Sequence, residues 1–199
     1  MFMLRAGSCA VIALVVAAGT VGRGSRLAAG AAAIDLDRSH LTINVYKSGV
    51  FSAFADNHTI RAPLQEGSLS ATGALSVAIR VRARDLQVLD PGLSPAKRQE
   101  VQTRMLGPEV LDVETYPDIT FASTAVAPAG VDRWTVTGTL TLHGRSRALT
   151  LDAGRAGGIY RGSVRLKQRD FGITPISIAG GTVKVKDEVL IEFQIAAAP

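Results

Sequence analysis

Across most of the chain beyond residue 40, apolar and polar residues alternate one by one, as an extended strand with one dry face requires. The most regular stretch runs from Trp134 to Ala153. Trp134, Val136, Leu140 and Leu142 fall on one side of it, and Thr135, Thr137, Thr139 and Thr141 on the other. Threonine's branched Cβ suits a pleated surface and its hydroxyl tolerates water, so the threonine row predicts the solvent face. A polar run from His143 to Ser146, with Gly144 inside it, breaks the pattern. Beyond it Ala148, Thr150 and Asp152 stand against Leu149 and Leu151, which predicts a β-hairpin.

The same reading gives the other strands. Leu41, Ile43 and Val45 alternate with Thr42, Asn44 and Tyr46. Phe51, Phe54 and Ile60 anchor a less regular segment, read as a loop or bulged strand through Asp56 to His58 and a strand from about Thr59, with turns at Gly67 and Gly73. Leu75, Val77, Ile79, Val81 and Ala83 then face away from Ser76, Ala78, Arg80, Arg82 and Arg84, a contrast that fixes the register strongly. A strand follows from Asp118 to Val126, with Ile119, Phe121 and Ser123 on one face. Gly154 to Gly158 reads as a turn or loop, and the strand after it sets Tyr160, Gly162, Val164 and Leu166 against Arg161, Ser163, Arg165 and Lys167. In the last segment Val183 and Val185, then Val189, Ile191, Phe193 and Ile195, alternate with polar groups across a break at Asp187 and Glu188, which look like hairpin-turn residues.

One segment has a different period. Ser94 before Pro95 is a helix start, with serine as N-cap and proline in the first helical position, and Val101 and Met105 stand four apart. A short helix is predicted from Pro95 to Leu106, stopped by Gly107 and Pro108. Eight or nine short strands and one helix define an all-β chain. Strands with one apolar face each lose their exposed edges by closing into an antiparallel barrel, here eight-stranded. Such a barrel can be filled by side chains or can hold one small ligand.

Composition changes the picture at the N-terminus. Arg5, an apolar run from Cys9 to Val21, Arg23, Arg26 and the tract Ala28 to Ala33 have the order of a secretory signal peptide, with cleavage after Ala31 or Ala33. The apolar run is too short to span a bilayer, which takes about 20 residues. Because Arg23 and Arg26 follow it, an uncleaved anchor is the alternative. Residues 1–33 are therefore assigned to the signal peptide and 34–199 to a single domain. The net charge of +5 includes three arginines of the leader and none of the acids, so the domain carries only about +2, too little to predict a nucleic-acid partner. Without its leader the chain has no cysteine, hence no disulfide and no thiol chemistry.

Motifs of catalysis are sparse. His40, His58 and His143 share no metal-ligand spacing, and no cofactor or metal is expected. Asp56 and His58 stand two apart and could form one edge of an acid/base site, against the plainer reading of a histidine bonded to its own loop. Asp170-Phe171-Gly172 lacks the companion motifs of a kinase and reads as a structural turn.

Several segments together resemble the YceI-like family: the hairpin from Thr137 to Leu151, Leu111-Asp112, Tyr116-Pro117-Asp118-Ile119-Thr120-Phe121, Arg169-Asp170-Phe171-Gly172-Ile173, and Val185 to Phe193. The likeness spans Ile34 to Ile195 in the family's order. It implies an exported, periplasmic or secreted, lipocalin-like barrel with an apolar tunnel, in which some members carry a polyisoprenoid chain. Where many relatives place histidine, this chain has Asp56 and Asn57 before His58.

The expected function is that of a non-enzymatic carrier or scavenger of an apolar lipid, a polyisoprenoid or isoprenoid quinone. The expected lining is Leu41, Ile43, Val45, Val77, Ile79, Val81, Phe121, Trp134, Val136, Leu140, Val189, Ile191 and Phe193. The alternatives are a filled barrel acting through its surface in envelope stress and an enzyme with Asp56 and His58 at the barrel mouth. A homodimer is compatible with either binding reading.

Overall fold

The computed structural model describes residues 32–48, 57–71, 74–178 and 183–198. Eleven strands and one helix follow in the order β1 (Ala32–Ser48), β2 (His58–Pro63), β3 (Glu66–Ser70), β4 (Ser76–Arg82), β5 (Gln87–Val88), α1 (Pro95–Leu106), β6 (Asp118–Gly130), β7 (Arg133–Leu142), β8 (Arg145–Ala156), β9 (Ile159–Lys167), β10 (Ser177–Ile178) and β11 (Val183–Ala197). Eight of them close a ring, β1-β11-β9-β8-β7-β6-β4-β3 and back to β1, antiparallel at every seam. The eight-stranded antiparallel barrel with one helix is thus the architecture.

The length of β1 makes closure possible. Its first residues, Ala32 and Ala33, pair with Leu69 and Ser68 of β3, its second half pairs with β2, and its other edge runs along β11. The strand therefore begins two residues before the domain boundary expected from the sequence. β5 extends the sheet beyond β2, and β10 pairs with the start of β11.

The hairpin from Trp134 to Ala153 forms as its pattern requires. Trp134 pairs with Ala153 and Val136 with Leu151, and threonine hydroxyls line the outside, where Thr135 donates to Asp152 at 2.8 Å. His143 and Gly144 both have positive φ, 50° and 68°, the conformation of a two-residue turn matched to strand twist. Their tip packs under Tyr116, whose ring lies 4.3 Å from that of His143. Helix α1 has the limits its sequence sets, with Ser94 Oγ accepting from the Lys97 amide at 3.3 Å and Met105 buried.

Four local expectations are corrected. Asp187 and Glu188 do not turn a hairpin: β11 runs through them as a β-bulge opposite Tyr46, between the pairs Val45–Val189 and Lys47–Val185. The bulge is held because Asp187 accepts from the Arg169 amide at 3.0 Å and Lys186 offers its carbonyl to the Gln168 amide group. β6 continues past Val126 to Gly130, with its own bulge at Thr124, which returns Val126 to the inner face. The loop expected at Gly154 to Gly158 shrinks to Gly157 and Gly158, both with positive φ, because Arg155 and Ala156 pair with Tyr160 and Ile159. Gly67 is not a turn: it lies in β3, opposite Ile79, where the Ile34 side chain covers it. Gly73, Phe51, Phe54 and Asp56 lie outside the described residues.

The apolar side chains form two adjoining clusters. One joins Ile60, Val81, Leu86 and Val88 to Met105, Leu111, Val113 and Ile173, beneath α1. The other joins Phe121, Val136, Leu140 and Val189 to Leu166 and Phe171. Asp170-Phe171-Gly172 is indeed a turn: a 3-10 segment, Gln168–Phe171, delivers Phe171 to the core at 2 % exposure and Gly172 closes it in the left-handed region. Outside, Arg80 bridges Glu66 and Asp118 across three strands. The hydrogen bond that Arg80 donates to the Glu66 carboxylate is the main cause that raises the guanidinium's pKa further.

Candidate functional site

The ring strands alternate inward and outward, so each apolar row meets the others in the lumen, and they do not fill it. About 170 Å³ remains inside. A single water needs roughly 10–15 Å³ measured in the same way, and a cavity lined by hydrocarbon stays dry and takes apolar guests.

The cavity occupies one half of the barrel. Its wall includes Ser70, Ala71 and Leu75 beside the β3–β4 connection, Val126 and Trp134 near the β6–β7 turn, and Arg155 and Tyr160 beside the β8–β9 turn. Antiparallel pairing brings these three connections to the same end of the ring, and Arg155, exposed yet on the wall, marks the mouth. The other end is plugged by Phe171, Leu166 and Val189 and covered by the α1 cluster.

Of the residues expected to line the lumen, the cavity wall contains Leu41, Val77, Ile79, Phe121, Trp134, Val136, Leu140, Ile191 and Phe193. Ile43, Val45, Val81 and Val189 are not on it. Val81, at 2 % exposure, is buried in the cluster that contains Met105 and Leu111; Val189 belongs to the one with Phe171; Ile43 and Val45 pack against both. They carry the right alternation but sit toward the plugged end, a distinction the period-two pattern does not contain.

Other wall residues are Leu69, Ser76, Leu149, Leu151, Ala153, Val164 and Ile195. Leu149, Leu151, Tyr160, Val164 and Ile195 stand on the dry rows of their strands, so the alternation already marked them. Val126 is concealed in the sequence by the Thr124 bulge, and Arg155 by the apparent loop around it.

Two glycines shape the wall. A Cβ on Gly138 would lie 2.5 Å from the Phe121 ring and from the Ala122 carbonyl oxygen. One on Gly162 would lie 2.5 Å from the Phe193 ring and closer still to the Asp152 carbonyl oxygen. Each missing side chain lets a phenylalanine of a neighbouring strand lie against the sheet, the arrangement in which an aromatic ring covers a strand glycine. The rings then add apolar surface without crossing the lumen.

His58 has a different role from the one considered for it. Its Nδ1 stands 2.6 Å from Oδ2 of Asp90, whose Oδ1 accepts from the Thr59 amide at 2.8 Å. Asp90 is 6 % exposed, and neither residue is on the cavity wall. The pair fastens the segment after β5 to the start of β2. No local signal links residues 32 positions apart, so the partner of His58 was not legible. Among the described residues no three His, Cys, Asp or Glu side chains group as metal ligands, and no helix is long and apolar enough to cross a membrane.

Residues 26–197 match the family of YceI-like domains. No curated protein sequence matches the chain significantly. Among solved structures, BcnA of Burkholderia cenocepacia is similar with a TM-score of 0.60 at 23% identity, over 83% of this chain and 99% of that one. A polyisoprenoid-binding domain from Saccharophagus degradans, implicated in plant cell wall breakdown, has a TM-score of 0.57 at 17% identity, over 85% and 99%. A Campylobacter jejuni YceI protein variant holding a monobromobimane guest has a TM-score of 0.52 at 16% identity, over 92% and 94%.

Proposed function

Since the chain belongs to the YceI-like family, we propose that it is an exported carrier or scavenger of an apolar lipid, such as a polyisoprenoid or isoprenoid quinone, held in the barrel. The observation that carries this reading is the unfilled lumen walled by hydrocarbon. A guest chain that loses roughly 200–300 Å² of apolar surface to water there would gain about 5–8 kcal/mol, before the cost of its lost freedom. No charged contact is needed for such holding, so selectivity among apolar chains is expected to be broad. The polyisoprenoid-binding description of the Saccharophagus domain agrees with a barrel of this shape used as a container.

Native mass spectrometry and solvent extraction of the protein purified from its host test the reading. A bound apolar species is expected; a clean apo mass with nothing extractable would overturn it. Export through the leader belongs to the same proposal. Of the two cleavage positions, the one after Ala31 suits the barrel, because Ala32 and Ala33 pair with β3 and the Ala33 carbonyl accepts from the Ala198 amide at 2.9 Å. An exported form whose mass starts at Ile34 would contradict that choice.

A further inference from the structure

Among the described residues the wall of the cavity carries one charged side chain, Arg155, and its surroundings single it out. Arg155 continues the inward row of Leu149, Leu151 and Ala153 on β8. It pairs across the hairpin with Tyr160, and its guanidinium carbon stands 5.9 Å from the centre of the Tyr160 ring. That ring in turn meets Trp134, with centroids 5.5 Å apart and planes tilted by 54°. The result is a guanidinium laid on an aromatic shelf at the mouth of an apolar lumen.

A guanidinium offers five donors and accepts nothing. Among the described residues no carboxylate lies within ion-pair distance of Arg155. The nearby Asp152 turns outward to Thr135. Several outward arginines are tied down, Arg165 to Glu188 at 2.8 Å, Arg80 to Glu66 and Asp118, and Arg161 to Gln194; Arg61, Arg82, Arg133 and Arg145, like Arg155, have no ion pair among the described residues, but none of them is on the cavity wall. A ring face compensates only part of a cation's charge, and donors in a planar fork match two oxygens of one acid group.

We propose that Arg155, laid on Tyr160 with Trp134 behind that ring, is the head-group site of this barrel, and that its preferred guests are single-chain lipids ending in an anionic oxygen head, carboxylate or phosphate. This rests on the carrier reading above and deepens it. The lumen takes the chain without regard to its chemistry, and the rim selects the end.

Displacement of a neutral fluorescent probe, N-phenyl-1-naphthylamine, from the delipidated protein tests the assignment. The competitors are palmitate, hexadecyl phosphate, 1-hexadecanol and inorganic phosphate. Both anionic chains are expected to bind about ten-fold tighter than the alcohol, the worth of one charge-assisted hydrogen bond at a half-wet rim. Inorganic phosphate is expected not to compete. Arg155→Gln should abolish the preference, bringing palmitate and hexadecyl phosphate to the affinity that the same variant has for 1-hexadecanol, and Arg155→Lys should keep part of it. Because Arg155 is exposed, an unchanged Tm is expected to confirm that both variants are folded.

Equal affinity for palmitate and 1-hexadecanol, or a preference that survives Arg155→Gln, would overturn the head-group site and leave the carrier intact. Competition by inorganic phosphate as strong as that of hexadecyl phosphate would make the rim a free-anion site and also overturn it. Failure of every chain to bind would remove the carrier reading and the head-group site together.

Discussion

At Gly162 the absence of a side chain is a structural requirement, and at Gly154, eight residues earlier in the chain, it is not. A Cβ at Gly162 would collide with the Asp152 carbonyl and the Phe193 ring, whereas at Gly154 the nearest atom is the Asp132 carbonyl oxygen at 3.9 Å, an ordinary contact. Gly162→Ala is therefore expected to destabilise the protein by about 1–3 kcal/mol through overpacking. Gly154→Ala should be neutral or stabilising by up to about 1 kcal/mol, since it only restricts the unfolded chain. Urea unfolding of the two variants measures the contrast; equal effects would mean that Phe193 does not need the bare strand. The sequence shows both residues as glycine in or near a strand. Which one is crowded depends on Phe193, brought opposite Gly162 by a strand that starts about twenty residues later. The same limit applies to His58, visible as a titratable residue but without its buried partner Asp90.

Elements differ in how far they can be read locally. Helix α1 was legible to the residue because its start and stop are chemical: a serine cap, a proline in the first turn, and Gly107 with Pro108 at the end. The bulges in β6 and β11 were not, since a bulge is defined by the partner strand's count of residues. How the helix meets the sheet was also hidden. Gln102 places its amide against the open edge of β5, accepting from the Val88 amide at 2.8 Å and donating to the Leu86 carbonyl at 2.7 Å, where a further strand would have bonded. Gln102→Ala leaves both backbone groups without these partners beside a buried Val88, and is expected to cost about 1–3 kcal/mol. Hydrogen exchange of the Val88 amide provides a local check, since it should quicken more than amides of β8; unchanged protection there would mean water replaces the side chain without loss.

For the whole molecule, the consequence of an unfilled lumen is that folding and binding are linked. A guest that binds only the closed barrel, present at a hundred times its Kd, adds about 2.7 kcal/mol, which raises the Tm of a domain this size by roughly 5–10 °C. Leu151→Trp, on the cavity wall, fills the space with side chain and should remove most of that rise; a full rise in the variant would place the guest elsewhere. The sequence by itself determined that the chain is a set of antiparallel strands with one dry row each, that one capped helix interrupts them, and that its motifs have the order of the YceI-like family. These follow from period-two patterning and from cap and turn chemistry, which act over a few residues. Only the tertiary structure decided which dry residues plug the barrel and which border a void. Ile43, Val45, Val81 and Val189 obey the same alternation as Leu140 and Phe193, and what separates them is how much side chain arrives from Phe171, Leu166 and Met105 at one end of the ring and not at the other. Volume in a closed barrel is a sum over strands distant in sequence, so no local pattern can state it.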